Sequence, residues 1–410
     1  MARLHHTERA RRGITRRGFF KAAAVSVPAA AAMVSILSGC TNSSKESVDS
    51  DPVVVEEDSA VNVTDSYTYV DSTYTAAHEW SLPLGNVLHP GEGTWIPVTT
   101  AGASASPMVK GSALSLASGT LFEVVSKSIT SSSTAVIYDV RCSDSVYAWL
   151  ELDLVTRDWW LYASSFSDGA LTGETKTLWQ GTSDYDPAPF ACSGTKVVWQ
   201  VQPSTSGAKT AEKSYCYVWT SGAGDATAAV ESPGRFATKP SVSNGYVVVS
   251  PRVHADEGTY YGITAYTLDD DLATRVAQLV MPKGVKPFRA SYVGGRFLVS
   301  VEASYSSGGL LGQMGTYIGT ESGGFVKLDR EPSEGGCGKG NVFVIKSKAS
   351  YFVIDTDAQT YTGISSVDRT VDYGEYPARD GECTTFVTFS TVKDATTGYP
   401  ATVTVRTFGL

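Results

Sequence analysis

The stretch DPAPFACSGTKVVWQV, Asp186 to Val201, runs from a proline-bearing polar lead into a short apolar strand. A Gly turn follows, then a second strand that ends near a tryptophan. The same order returns as TKPSVSNGYVVVSPRV (Thr238–Val253), KPFRASYVGGRFLVSV (Lys286–Val301), EGGCGKGNVFVIKS (Glu334–Ser347) and YPARDGECTTFVTF (Tyr376–Phe389). YDVRCSDSVYAWLEL (Tyr138–Leu152) is an earlier copy, and HPGEGTWIPV (His89–Val98) is a degenerate first one. The turn markers Gly93, Ser145, Gly194, Gly245, Gly295, Gly340 and Gly381 are separated by 52, 49, 51, 50, 45 and 41 residues. A repeat of this length is one supersecondary unit that buries its faces only by stacking on its neighbours.

Each unit continues with two more strands about a tight turn, as in ALSLASGTLFEVV (Ala113–Val125), GITAYTLDDDLATRVAQLV (Gly262–Val280) and YFVIDTDAQTYTGISSV (Tyr351–Val367). Four short antiparallel strands per unit make a propeller blade. Seven markers therefore predict an all-β fold, a β-propeller of seven four-stranded blades, with six or eight also compatible with the weak first copy. After Gly381 only 29 residues remain, enough for the strands Thr384–Thr391 and Ala401–Phe408. The missing outer strand of the last blade is expected from the N-terminal side, near Tyr67–Tyr74, closing the ring and hiding its edges.

The repeat resembles the TolB-type, WD40-like propeller repeat of bacterial envelope proteins. Pro187, Pro240, Pro287, Pro377 and the turn glycines carry the likeness. The family's tryptophan and its Asp-Gly pair are mostly missing, and only Asp380-Gly381 keeps the latter.

The first forty residues read as an address. Thr15-Arg16-Arg17-Gly18-Phe19-Phe20-Lys21 resembles the twin-arginine (Tat) export motif, with Arg16, Arg17, Phe19, Phe20 and Lys21 in the family's order. The apolar part that follows, Ala22 to Leu37, is about 16 residues and mostly alanine, short for a membrane span. Leu37-Ser38-Gly39-Cys40 resembles a lipobox, which implies cleavage before Cys40 and acylation of its thiol. Residues 1–39 are thus expected to be a signal peptide. Residues 40–65, rich in Ser and acids, are expected to be a lipidated flexible tether, and residues 66–410 the propeller. The resemblance implies a lipoprotein on the outer face of a bacterial cytoplasmic membrane, folded before export.

Without residues 1–39 the chain has 26 bases and 41 acids, a formal net charge of −15. Such a surface disfavours nucleic acid as a partner. The leads into the inner strands are nonetheless polar, and in a propeller they open on one face of the central channel. They supply Tyr138, Asp139 and Arg141; Asp184 and Asp186; Arg235 and Lys239; Lys286 and Arg289; Glu331 and Glu334; Tyr373, Glu375, Tyr376 and Arg379. Arg141, Lys239, Arg289 and Arg379 could hold the anionic groups of a sugar, a peptide or a cell-wall fragment. Paired charges lining a solvated channel are the plainer reading. Asp139, Asp186, Glu334 and Glu375 are the carboxylates from which a glycosidase pair would be drawn.

Only His78, His89 and His254 follow Cys40, none at metal-ligand spacing, and neither a nucleophile elbow nor a cofactor motif occurs. No metal or cofactor is expected. DDDLAT (Asp269–Thr274) and DTDAQT (Asp355–Thr360) fall where blades need outer turns, which Asp favours. Trp149, Trp199 and Trp219 are expected in the core between blades. Cys142 and Cys192 sit at nearly equivalent places in adjacent units, so a disulfide between them is compatible with an oxidising compartment, against a reading of all five remaining cysteines as buried thiols. The expected function is non-catalytic binding of a polar ligand or protein partner at the channel mouth. A carbohydrate-active hydrolase or lyase and a scaffold for envelope proteins are the alternatives.

Overall fold

The computed structural model describes residues 49–56, 59–102, 108–302, 314–332, 334–348, 350–367 and 376–410. The export motif, Cys40, Tyr373 and Glu375 lie outside them. The described residues belong to one compact unit, Asp49–Leu410. Their strands assort into seven sheets, and the chain is a β-propeller. Sheet I begins at Asn86–Leu88, sheet II at Ala135–Cys142, sheet III at Phe190–Ser193 and sheet IV at Ser241–Ser243. Sheets V, VI and VII begin at Arg289–Val293, Cys337–Lys339 and Tyr376–Pro377. Among the described residues no helix is long and apolar enough to cross a membrane.

The apolar clusters explain why the sheets stack. Trp159 and Leu150 of sheet II meet Phe190, Val197 and Trp199 of sheet III in one cluster. Val198 and Cys216 of sheet III meet Val247 and Val249 of sheet IV in the next. Strand Lys196–Val201 thus sends alternate residues into two cores, as strand geometry requires. In the same way Trp159 enters one core while Trp160 packs on another. Leu82, Val387 and Val405 of sheet VII share a cluster with Leu88, Ile96 and Leu114 of sheet I. Trp149, Trp199 and Trp219 are buried.

The turn markers hold their places. Gly194, Gly245 and Gly340 join the first and second strands of sheets III, IV and VI at φ 52, 78 and 58°, a left-handed backbone that glycine adopts without strain. The two Asp-rich stretches are outer hairpin turns. Asp355 accepts hydrogen bonds from the Asp357 and Ala358 amides at 3.0 and 2.9 Å.

Gly381 differs. After Ala378 the chain leaves sheet VII, and Gly381–Glu382 pairs in parallel with Cys337–Gly338 of sheet VI. The Glu382 amide donates to Ser243 Oγ of sheet IV at 2.9 Å, and its carboxylate accepts from the Gly294 amide of sheet V at 3.2 Å. This segment spans the turn-side end of the channel and floors it. A Cβ on Gly381 would overlap Ser243 Oγ, so the crossing demands glycine.

Two expectations are corrected. The outer strand of sheet VII is His78–Pro83, paired antiparallel with Thr402–Thr407. The stretch expected in that role instead places Thr68–Tyr69 in parallel on Thr360–Tyr361 of sheet VI. The tether is also shorter than its composition suggests. The Val53 amide donates to the Val280 carbonyl of sheet IV at 2.9 Å, and Val61–Asn62 pairs in parallel with Val326–Lys327 of sheet V. Val63 is fully buried. The described residues of 49–83 therefore form a belt along the outer edges of sheets IV, V, VI and VII in turn. Few apolar residues suffice because the sheet edges supply backbone partners.

Candidate functional site

The first strands of the sheets bring their polar residues into the channel. A central cavity of about 300 Å³ is lined by His89, Glu92, Arg141, Lys239, Arg289, Glu334 and Asp380, among others. Above it, on the side of the leads, a mouth cavity of about 650 Å³ opens over sheets III, IV and V. Lys239 and Arg289 border both.

Several of the charges are paired. Arg141 donates to Asp139, which also lies 3.2 Å from His89 Nδ1. Arg289 holds Glu334 through Nε and Nη2 at 3.2 and 3.0 Å, with its guanidinium over the Phe288 ring. Asp186 meets Arg235 at 2.6 Å. Lys239 has no hydrogen bond or ion pair with any described residue. Its side chain is wetted by the channel yet surrounded by protein, and burial followed by the nearby Arg141 charge holds its ammonium below the usual lysine range.

Burial raises the Asp139 carboxyl, but Arg141 and then His89 more than reverse this and leave it below the ordinary value. Burial holds the His89 imidazole down to about 4, so it is neutral at pH 7. Its Nε2 pairs with Thr99 Oγ1 at 2.9 Å. Asp380, on the floor, is pushed up to about 6 by burial.

That shift sets a pH dependence. The folded protein keeps the Asp380 proton up to about pH 6, whereas the unfolded chain releases it near 3.8. Stability from this group is therefore full below pH 3.8 and lost as pH rises through 6. Asp380→Asn should raise the denaturant midpoint at pH 7 and leave it nearly unchanged at pH 4. The difference is at most about 3 kcal/mol, and equal effects at both pH values would refute the assignment.

Of the residues singled out in the sequence, Arg141, Lys239, Arg289 and Glu334 line the central cavity, with Asp139 behind Arg141. Asp186 lines the mouth. Arg379 does not join them. It is buried, 5% exposed, and its guanidinium donates to the Gly91 and Gly93 carbonyls, tying the last repeat to the first. Cys142 and Cys192 are free and unbridged, because they pack into different cores, one between sheets I and II and the other between II and III. Burial raises both thiols.

Sequence reasoning missed Glu92, whose Oε2 is buried without a partner, and Gln200, which is fully buried with both amide atoms unpartnered. It also gave His89 and Asp380 no role in the channel. His89 opened a degenerate repeat, and Asp380 was visible only as half of an Asp-Gly turn pair.

No family model matches the chain, and no curated protein does. Among solved structures, the β-propeller domain of the Trilobed protease from Pyrococcus furiosus is 11% identical, with a TM-score of 0.48 over 79% of this chain and 94% of that one. Acylaminoacyl peptidase from Pyrococcus horikoshii is 11% identical, TM-score 0.48, over 79% of this chain and 50% of that one. This chain thus spans half the length of that peptidase. Oligogalacturonate lyase from Vibrio parahaemolyticus is 10% identical, TM-score 0.44, over 82% and 98%.

Proposed function

We propose that this chain is a membrane-tethered binding protein of the bacterial envelope. It is exported by the twin-arginine route, acylated at Cys40 and held at the outer face of the cytoplasmic membrane. The body is a seven-bladed propeller in which His78–Pro83 completes the last blade, a reading supported by the sheet VII pairing and the core shared by sheets VII and I. Residues 41–48 are the proposed linker. At the channel mouth the body holds a polar ligand or partner, a cell-wall glycan or peptide among them, without chemistry.

The observation that carries this reading is Lys239, which borders both cavities and has no ion pair with any described residue, while Arg141, Arg235 and Arg289 are each matched to an acid. Asp139, Asp186 and Glu334 are each tied to an arginine, and the Arg141 charge beside Asp139 holds that carboxyl below its ordinary value. A glycosidase acid must instead hold its proton. One observation favours the second reading, a hydrolase or lyase: Asp380 keeps its proton up to about pH 6 at the floor of the cavity.

The test uses the mature lipoprotein extracted from membranes, with Cys40→Ser as the anchor control. The control should leave the protein in the soluble extracytoplasmic fraction. Muropeptides, neutral and acidic glycans and peptides are then screened for a rise in the thermal midpoint. At 100 times Kd, a ligand of the native state adds about 2.7 kcal/mol. No rise with any of them would sink the ligand-binding reading and leave the scaffold. Turnover of a ligand that is lost in Asp380→Asn would establish the enzyme.

A further inference from the structure

The mouth cavity carries more information than its charge. Arg157, Arg235, Lys239, Lys286 and Arg289 line it, against the acids Asp186 and Glu302. On a mature body of net charge −15 this is a local reversal of sign, and Arg157, Lys239 and Lys286 have no ion pair with any described residue. Gln200 belongs to the same wall. It is fully buried, and neither its amide nitrogen nor its amide oxygen finds a hydrogen bond in the protein. Gln202, just past the end of the strand Lys196–Val201, has an unpartnered Oε1 in the same wall. Unmade hydrogen bonds of buried amides cost stability, and a partner arriving from outside recovers that cost.

A simple anion only accepts, so it could satisfy the Gln200 nitrogen and leave the oxygens of Gln200 and Gln202 unpaired. A hydroxyl donates and accepts at one atom. The half-exposed Tyr138 adds an open aromatic ring at the rim, a flat apolar surface for the C–H face of a pyranose. Arg235 and Arg289 are already held by Asp186 and Glu334, so the fork that suits the two oxygens of a carboxylate or phosphate is that of Arg157, with the Lys239 and Lys286 ammoniums beside it.

Resting on the binding reading above, we propose that the mouth cavity binds an acidic sugar: a hydroxyl-rich ring that carries a carboxylate or phosphate. The cations hold the anion while Gln200 and Gln202 read the hydroxyls. About 650 Å³ falls within the range of small-molecule sites, so a short oligosaccharide is the occupant rather than a polymer surface.

Isothermal titration of the mature lipoprotein separates the sources. The probes are hyaluronan hexasaccharide (a uronate), glucose 6-phosphate, the neutral cellohexaose, hexaglutamate and inorganic phosphate. One of the first two is expected to bind at least about tenfold more tightly than the last three. Gln200→Leu should weaken that binding about tenfold or more while the unliganded protein melts no lower than the parent. Lys286→Glu should weaken it similarly and flatten its salt dependence. Cellohexaose or hexaglutamate binding as well as the acidic sugars would overturn the inference, and so would undiminished affinity in Gln200→Leu. If a muropeptide or peptide binds in the wider screen and no acidic sugar does, this inference fails while the binding reading stands. If nothing binds, both fail.

Discussion

Glu151→Ala should destabilise the protein by about 4 kcal/mol, although the residue lies in a sheet interior and touches no proposed ligand. Its side chain is fully buried and accepts four hydrogen bonds. The Ile129 and Thr130 amides donate at 2.8 and 2.9 Å, Trp149 Nε1 donates at 3.1 Å, and the Ser128 hydroxyl completes the set. Alanine would leave the Trp149 nitrogen and two amides without their acceptor and open a cavity beneath the lead into sheet II. Glu151→Gln keeps the volume but turns an NH₂ toward donors, so an intermediate loss is expected. Equilibrium denaturation in urea measures both. A loss under about 1 kcal/mol for the alanine variant, within the range of a substitution away from such networks, would mean that the donors find other partners.

Removing residues 49–83 should be the larger lesion. Val63, Tyr67 and Leu82 are buried on the sheets they reach, and at about 2 kcal/mol each they supply about 6 kcal/mol. That figure is comparable with the whole net stability of a typical domain. The six paired residues of His78–Pro83 would go as well, exposing strand Pro400–Gly409 as a free edge. Circular dichroism and size-exclusion chromatography should find the shortened chain unfolded or self-associated at 37 °C. Melting within a few degrees of the full chain would show that the belt is only an appendage.

These two results bear on what sequence could reveal. The strand pairs and their turns were legible because Gly194, Gly245 and Gly340 recur at near-constant spacing, and only a repeating unit produces that. Trp149 and Trp199 were legible as core for the same reason. Glu151 was not. The strand Val146–Asp153 is buried at every residue, since a middle strand packed between two neighbouring sheets has no solvent face. Alternation then carries no information about which polar residue is inside.

The belt was misread because its strands are two residues long where they meet sheets V and VI. Backbone pairing to an existing edge needs no apolar pattern of its own. The site was half legible. Charge in the inner-strand leads marked Arg141, Lys239, Arg289 and Glu334. The floor segment at Asp380–Glu382 is a tertiary excursion that no local pattern announces, and the orphaned amide of Gln200 depends on which neighbours it lacks.

The belt also sets an order in time. Synthesis delivers residues 49–83 first, yet every partner they pair with is made later, in the sequence Val280, Val326, Tyr361 and Val405. Val326 follows Val61 by 265 positions, on the order of 10–50 s of translation at ordinary rates. Throughout that interval Val61–Asn62 has no edge to join, and contacts of such long range form late. The belt would fasten sheet by sheet as the ribosome finishes each one, and its last clasp waits for Pro400–Gly409. Under the proposed export route, the export signal is joined to the end of the belt that fastens first, on Val280, and only the His78–Pro83 clasp waits for the whole body to be made.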